Sequence, residues 1–300
     1  MLYSMKPLLE HALKNNYAVM APSIRNEDCA RAAIEVAEEM NSPVILNVNR
    51  HAWAGMLEEK YWKYQMEVLR QIAINASVPV AINLDHSPSY EECAHAIAAG
   101  FTSVMIDHSN LPLEENIALT KEVVRMAHAV GVSVEAELGH VGIGDIATMD
   151  GIRDGIQKET MAAPSKLTVP EEMKRFVEET GVDCLAVSIG NQHGAYKNNE
   201  IPRIEFELLE KLHETCPDLP LVLHGGSGTG DENISKACKM AICKVNVGTD
   251  CEKAAAMAVI NAYNEKGRVP GAVYNVMREG YKSQVYHEIE VMGSKNKAWE

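Results

Sequence analysis

The chain has 300 residues, of which 46% are hydrophobic and 23% charged, with a formal net charge of −14. That balance fits one large soluble domain, and the negative charge argues against general affinity for nucleic acid or an anionic membrane. An anionic small molecule is not excluded, because backbone amides and a metal can hold a phosphate locally. The seven cysteines (29, 93, 184, 216, 238, 243, 251) include no CxxC pair, so neither a disulfide framework nor a thiolate zinc site is indicated. No apolar run approaches the roughly 20 residues that span a bilayer. Residues 1–14 are charged and amphipathic rather than secretory, so the expected compartment is the cytoplasm.

Along the chain, short apolar or β-branched runs alternate with longer stretches of helical spacing. The runs are 18–21, 43–48, 80–84, 103–106, 133–138, 184–189, 221–223 and 244–247. The helical patterns are 27–40, 56–76, 89–99, 114–130, 170–180, 204–214 and 231–241. Several runs lack in/out alternation, as strands covered on both faces do. Eight β-then-α units in succession predict an α/β fold, the (β/α)8 TIM barrel. It is expected as a single domain over 1–300 with a helical extension at 252–300. A doubly wound open sheet would show a dinucleotide loop early in the chain, and none is visible. The long glycine-rich stretch 139–169, after the fifth strand, is predicted to be an active-site lid loop.

Barrel enzymes place their chemistry at the C-terminal ends of the strands. Strand three ends "NLDH" (Asp85, His86), strand four "MIDHS" (Asp107, His108), and strand five is "VEAELG" (Glu135, Glu137). Strand six leads into "SIGNQHGAY" (His193, Gly194), strand seven ends at His224, and strand eight is "KVNVGTD" (Asn246 to Asp250). Three histidines on one rim have the composition of a catalytic zinc site. Asp107 and Glu137 are candidate outer ligands or acceptors for those histidines.

Each residue also has a plainer reading. Asp85 fits as the N-cap of the helix near Ser89, and a lone histidine at a strand end is commonly a satisfied core residue. Alternation is expected to turn only one of Glu135 and Glu137 to the barrel axis. His51, His95, His128, His213 and His287 fall on helical or helix-leading segments, and His108 and His140 are taken as bystanders near the rim. The glycine loops at 225–228 and 246–249, with the hydroxyls of Ser227 and Thr249, lie where barrels bind phosphate.

Taken in order, "NLDH", "MIDHSNLPLEEN", "VEAELG", "TGVDCLAVSIGNQHGAY", "LVLHGGSG" and "KVNVGTD" resemble the class II, zinc-dependent ketose-bisphosphate aldolases, nearest to the tagatose- and fructose-bisphosphate enzymes. The likeness runs over residues 5–250. It implies one Zn2+ per subunit on His86, His193 and His224, with Asp107 and Glu137 at an alternative metal position. Asp85 would be the general acid/base. Gly194, Gly225, Gly226, Ser227, Asn246, Val247, Gly248 and Thr249 would hold the phosphate of the dihydroxyacetone-phosphate half. The resemblance also admits a monovalent cation near that phosphate and implies a homodimer or homotetramer acting on a phosphorylated ketose. The implied reaction is reversible retro-aldol cleavage of a fructose- or tagatose-1,6-bisphosphate type ketose to dihydroxyacetone phosphate and an aldehyde such as glyceraldehyde 3-phosphate. Zinc would polarise the C2 carbonyl and Asp85 would take the C4 hydroxyl proton.

Departures from the family pattern cluster on one side. The family's lid glutamate lies in a G-G-x-E-D context, and residues 142–146 read G-I-G-D-I, which puts the shorter Asp145 in its place. The S-x-G turn after strand two is replaced by "NVNRHAW", and the first strand leads into "MAPSIRN". Glu252 stands where a basic residue is common, and 269–273 reads "VPGAV" without the family's arginine. Those basic residues serve the distal phosphate. The alternative is therefore a ketose 1-phosphate with a non-phosphate distal end, or a distal anion bound by Arg25, Arg50 or a lid residue. A non-catalytic sugar-phosphate binder is disfavoured because Asp85 persists beside the histidines. A Schiff-base mechanism is disfavoured because its lone candidate, Lys244, precedes the core of strand eight.

Overall fold

The computed structural model describes residues 1–49, 59–143, 164–194, 196, 200–267 and 271–299. Arg50, Asp145 and most of 139–169 lie outside the described residues. Eight parallel strands, each hydrogen-bonded to the next and the last to the first, close into a barrel. They are β1 (Val19–Pro22), β2 (Val44–Val48), β3 (Val80–Ser87), β4 (Ser103–Ile106), β5 (Ser133–Leu138), β6 (Cys184–Val187), β7 (Leu221–Leu223) and β8 (Ile242–Val247). Every residue of every strand is buried, which explains the weak alternation of the sequence.

The strands are followed in turn by α2 (Glu27–Glu39), α3 (Glu59–Asn75), α4 (Tyr90–Ala99), α5 (Leu113–His128), α6 (Pro170–Thr180), α7 (Phe206–Thr215), α8 (Asp231–Cys238) and α9 (Thr249–Lys266). Helix starts follow side-chain chemistry. Asn26 accepts from the Cys29 amide at 3.0 Å, and Ser89 accepts from Glu92 at 3.2 Å. Ser89 therefore caps α4, and Asp85 is free for other work.

One mouth of the barrel is sealed by the N-terminal helix α1 (Met5–Asn15). Its Met5, Leu8, Leu9 and Ala12 recur at helical spacing and pack against the inward side chains Val19, Ile45, Ala81, Met105, Ala186 and Val222. Fully burying a leucine such as Leu8 or Leu9 is worth about 1.5–3 kcal/mol. Lys6 pins the plug by donating to buried Asp183 at 3.0 Å, and Asp183 also faces His128 Nε2 at 2.8 Å. With that mouth closed by apolar packing, the polar residues of the barrel interior gather toward the C-terminal ends of the strands.

The expected helical extension is present, but the segment is shared between two roles. Helix α9 begins at Thr249 as the eighth barrel helix, and α10 (Val273–Val291) packs on α9, α2 and β1. Tyr281 on α10 donates to the Ser23 carbonyl at 2.9 Å, and the Ala18 amide donates to Met292 at 3.1 Å, which ties the extension to β1. No helix among the described residues is long and apolar enough to cross a membrane.

Helix α10 also buries a carboxyl. Glu288 is 3% exposed; Oε1 accepts from Gln284 at 2.9 Å, while Oε2 has no partner. Burial pushes this acid up from 4.5 to about 7. The unfolded carboxyl ionises at lower pH than the folded one, so the stability present below pH 4.5 is lost as pH rises through about 7. Glu288→Gln should remove that dependence and raise stability at pH 8 by up to about 3 kcal/mol, with little change at pH 4. Thermal melts of the two proteins across that range measure it.

Candidate active site

The site begins with an irregularity in β3. Leu84 pairs with Val104 and Ser87 with Ile106, so β3 carries one residue too many between them. His86 takes up the excess at φ 49°, in the left-handed region. Neighbouring residues of a regular strand face opposite sides. The bulge lets both Asp85 and His86 serve the same mouth, at a backbone cost on the order of 1 kcal/mol.

His193 and His224 are brought together by backbone contact between the loops after β6 and β7. A Cβ on Gly225 would stand 1.9 Å from the Gln192 carbonyl oxygen, and its φ is 64°, so only glycine fits there. Asn191 ties the two loops, its Nδ2 donating to the His224 carbonyl at 2.9 Å. The His193 amide in turn donates to Gly142 at 2.8 Å, which sets the start of the 139–169 stretch against this corner. The foot of that stretch is closed by His140 and Lys166, whose backbones exchange hydrogen bonds of 2.7 and 3.0 Å.

The result is a cluster. Ligand atoms of His86, Glu137, His193 and His224 all lie within 4.8 Å of one another. The three imidazole centroids are 4.6 to 5.5 Å apart, with the rings edge to face. The remaining nitrogen of two rings is occupied from outside the cluster. His86 Nδ1 lies 2.8 Å from Asp107 Oδ2, and His224 Nε2 lies 2.8 Å from Glu135 Oε1. That leaves His86 Nε2, His193 Nε2, His224 Nδ1 and Glu137 Oε2 buried without a hydrogen bond among the described residues, the last two 3.4 Å apart. An unsatisfied buried polar atom costs about 1–3 kcal/mol. Four of them converging on one point are explained by a divalent cation, for which three imidazoles and a carboxylate are a suitable donor set.

The electrostatics agree. Burial disfavours a charged His86, but Asp85, Asp107 and Glu137 reverse this and push it up to about 10. Burial and the charge of His86 hold His193 and His224 well below the ordinary histidine range, in the neutral form a metal needs. Burial opposes ionisation of Asp85, yet the charges of His86 and Lys244 outweigh it and keep its carboxyl below the usual value. Burial and the neighbouring Asp107 raise Glu137. The pocket has more carboxylates than cations and calls for positive charge at its centre.

Several sequence expectations change. Both Glu135 and Glu137 face the cluster, because residues two apart on a strand share a face; the expectation that only one would do so misapplied the alternation. Asp107 is the hydrogen-bond acceptor of His86, while Glu137 is among the converging donors. His140 is no bystander. Its Nδ1 lies 2.8 Å from Ser109 Oγ, which also lies 2.8 Å from Asp107 Oδ1 and 3.0 Å from Glu137 Oε1. Ser109 was legible only as part of "MIDHSN". Lys244 is fully buried inside the barrel and donates to Glu135 at 2.6 Å, so it offers no free amine for a Schiff base.

The glycine loops are more committed than their composition implied. The Gly226 amide donates to the Asn246 carbonyl and the Gly228 amide to Asp250 Oδ2, both at 3.0 Å. Asn246 directs its side chain to Asp85 Oδ1 at 3.1 Å, and the buried Val247 gives its carbonyl to Ser23. Gly194 follows His193 at φ 79°. Ser227, Gly248 and Thr249 border the first turn of α9, with a Cβ on Gly248 falling 2.7 Å from Ser23 Oγ.

The chain has counterparts among known proteins. A family model described as fructose-bisphosphate aldolase class-II matches residues 3–297. The chain belongs to the class II fructose-bisphosphate aldolase family. It is 40% identical over 299 residues to a fructose-bisphosphate aldolase of Staphylococcus aureus, covering 99% of each chain. The same identity, length and coverage hold for the Geobacillus stearothermophilus fructose-bisphosphate aldolase. Among solved structures, the YdjI aldolase of Escherichia coli K12 superposes with a TM-score of 0.82 at 31% identity, covering 100% of both chains. The protein is thus an aldolase, a carbon–carbon lyase, built around a buried His/Glu cluster.

Because Asp107 fixes the ring of His86 from outside the cluster, Asp107→Ala should weaken divalent-metal binding by about 10- to 100-fold. Competition with a chromophoric chelator measures the change.

Proposed function

We propose that this aldolase reversibly cleaves a ketose 1,6-bisphosphate of the fructose type to dihydroxyacetone phosphate and glyceraldehyde 3-phosphate, using one Zn2+ per subunit held by His86, His193 and His224. The observation that carries this reading is the convergence of unpartnered donor atoms beside an anionic Asp85. When bound there, the metal polarises the C2 carbonyl and stabilises the negative charge that carbon–carbon cleavage delivers to it.

Asp85 takes the proton of the C4 hydroxyl in cleavage and returns it in condensation. Asn246 holds that carboxylate by Oδ1, and the positive charges of His86 and Lys244 keep it ionised and ready to accept. Ser227, Gly194 and the amide-bearing first turn of α9 at Gly248 and Thr249 receive the C1 phosphate, where the helix dipole favours an anion. Asp145, which follows β5 in the sequence, would exchange the proton at the carbon next to the carbonyl. Met257, Ile260 and Tyr263 on α9 and Tyr274 and Met277 on α10 are exposed, and they support the expected homo-oligomer.

A second reading, a ketose 1-phosphate without a distal phosphate, is favoured by one contact. Glu252 stands where the family commonly has a base, and its carboxylate forms an ion pair with Arg25. That pairing offsets a positive charge available to a distal anion.

Chelation should abolish retro-aldol activity and added Zn2+ restore it; full turnover in chelator would refute the metal mechanism. Asp85→Ala should lower kcat by about 10²- to 10⁴-fold while metal content stays at one per chain. The two substrate readings separate on kcat/KM for fructose 1,6-bisphosphate against fructose 1-phosphate. The first expects the bisphosphate to lead by at least about 100-fold, and the second expects no such lead.

A further inference from the structure

A neutral imidazole carries one proton, and which nitrogen bears it decides which lone pair faces the metal. For His224 that choice is made away from the cluster. Nε2 lies 2.8 Å from Glu135 Oε1, and Glu135 Oε2 lies 2.6 Å from Lys244 Nζ. All three residues are completely buried, and they come from the end of β7, from β5 and from β8. A buried ion pair is costly to desolvate, and a well-packed apolar pair of similar volume is often as stable. Burying Lys244 and Glu135 for stability alone therefore has little rationale.

The hydrogen-bond inventory supplies one. An ammonium is a donor only, and a carboxylate is an acceptor only. Lys244 occupies one oxygen of Glu135 and leaves the other to accept from His224. His224 must then carry its proton on Nε2, and Nδ1 is left bare and buried, with no hydrogen bond among the described residues and Glu137 Oε2 3.4 Å away.

We propose that Lys244 and Glu135 are positioning residues that fix the polarity of this chain of hydrogen bonds, and so hold His224 in the tautomer that presents Nδ1 to the metal. Neither residue touches the substrate. The proposal rests on the reading of His224 as a metal ligand.

Reversing the polarity tests it. In Glu135→Gln the amide has one acceptor and one donor end. With Lys244 present, the amide oxygen must face the ammonium and its NH2 must face His224 Nε2. The imidazole proton then moves to Nδ1 and blocks the metal. Zn2+ affinity of the metal-free protein, measured against a chromophoric chelator, should fall about 100-fold. Adding Lys244→Met frees the amide to turn round and accept from Nε2 again. The double variant should therefore bind Zn2+ at least about tenfold more tightly than Glu135→Gln alone. A packing or charge-count role predicts the reverse, with the second substitution adding to the loss.

Nitrogen NMR of the His224 ring in the metal-free proteins reads the tautomer without a metal: Nε2–H in the wild type and the double variant, Nδ1–H in Glu135→Gln. The ligand reading itself is tested by His224→Ala. Wild-type Zn2+ affinity there overturns that reading and the proposal with it. Loss in His224→Ala, with the double variant no tighter than Glu135→Gln, overturns the proposal alone.

Discussion

Four buried donor atoms have no hydrogen bond among the described residues, and the ligand atoms of their side chains lie within 4.8 Å of one another. Left alone, such an arrangement is destabilising, since polar atoms are gathered away from water without hydrogen bonds. The surrounding architecture serves to hold it. The β3 bulge spends backbone strain to deliver Asp85 and His86 side by side. Gly225 removes a side chain so that the loops of His193 and His224 can meet. A divalent cation resolves the conflict, which makes the metal part of the site's structure as well as of its chemistry.

Around that centre a second ring of residues holds the first in place. Asp107 holds His86, Glu135 holds His224, and Ser109 links Asp107, Glu137 and His140. Asn246 joins Asp85, the proposed base, to the strand whose following loop is proposed for the phosphate. The proposed electrophile, base and phosphate handle would therefore sit on adjoining pieces of one barrel, where orientation contributes directly to rate.

Much of this was legible in the sequence because barrel enzymes separate stability from chemistry along each strand. The motifs at the ends of strands three to eight name the three histidines, Asp85 and Asp107, while "VEAELG" offers Glu135 and Glu137 as alternatives. The strand from 80 to 84 was read too short because a bulge has no compositional signature, and His86 at positive φ is invisible to propensity. Glu135 and Glu137, two apart, share a face of β5, and Lys244, which reads in sequence as a nucleophile, is a buried partner of Glu135. His140 and Ser109 gain meaning from a hydrogen-bond geometry that no spacing rule encodes. The amides of Gly226 and Gly228 looked free because composition shows which groups exist and cannot show which are already bonded. The apolar face of α1 was visible as amphipathy, while its place as a barrel plug required the closed sheet.

The most direct test of the central claim is anomalous diffraction at the zinc edge from crystals of the zinc-loaded protein. The account predicts one strong peak per chain, within bonding distance of His86 Nε2, His193 Nε2 and His224 Nδ1. A peak on the opposite nitrogen of any of these rings, or no peak among them, would contradict it.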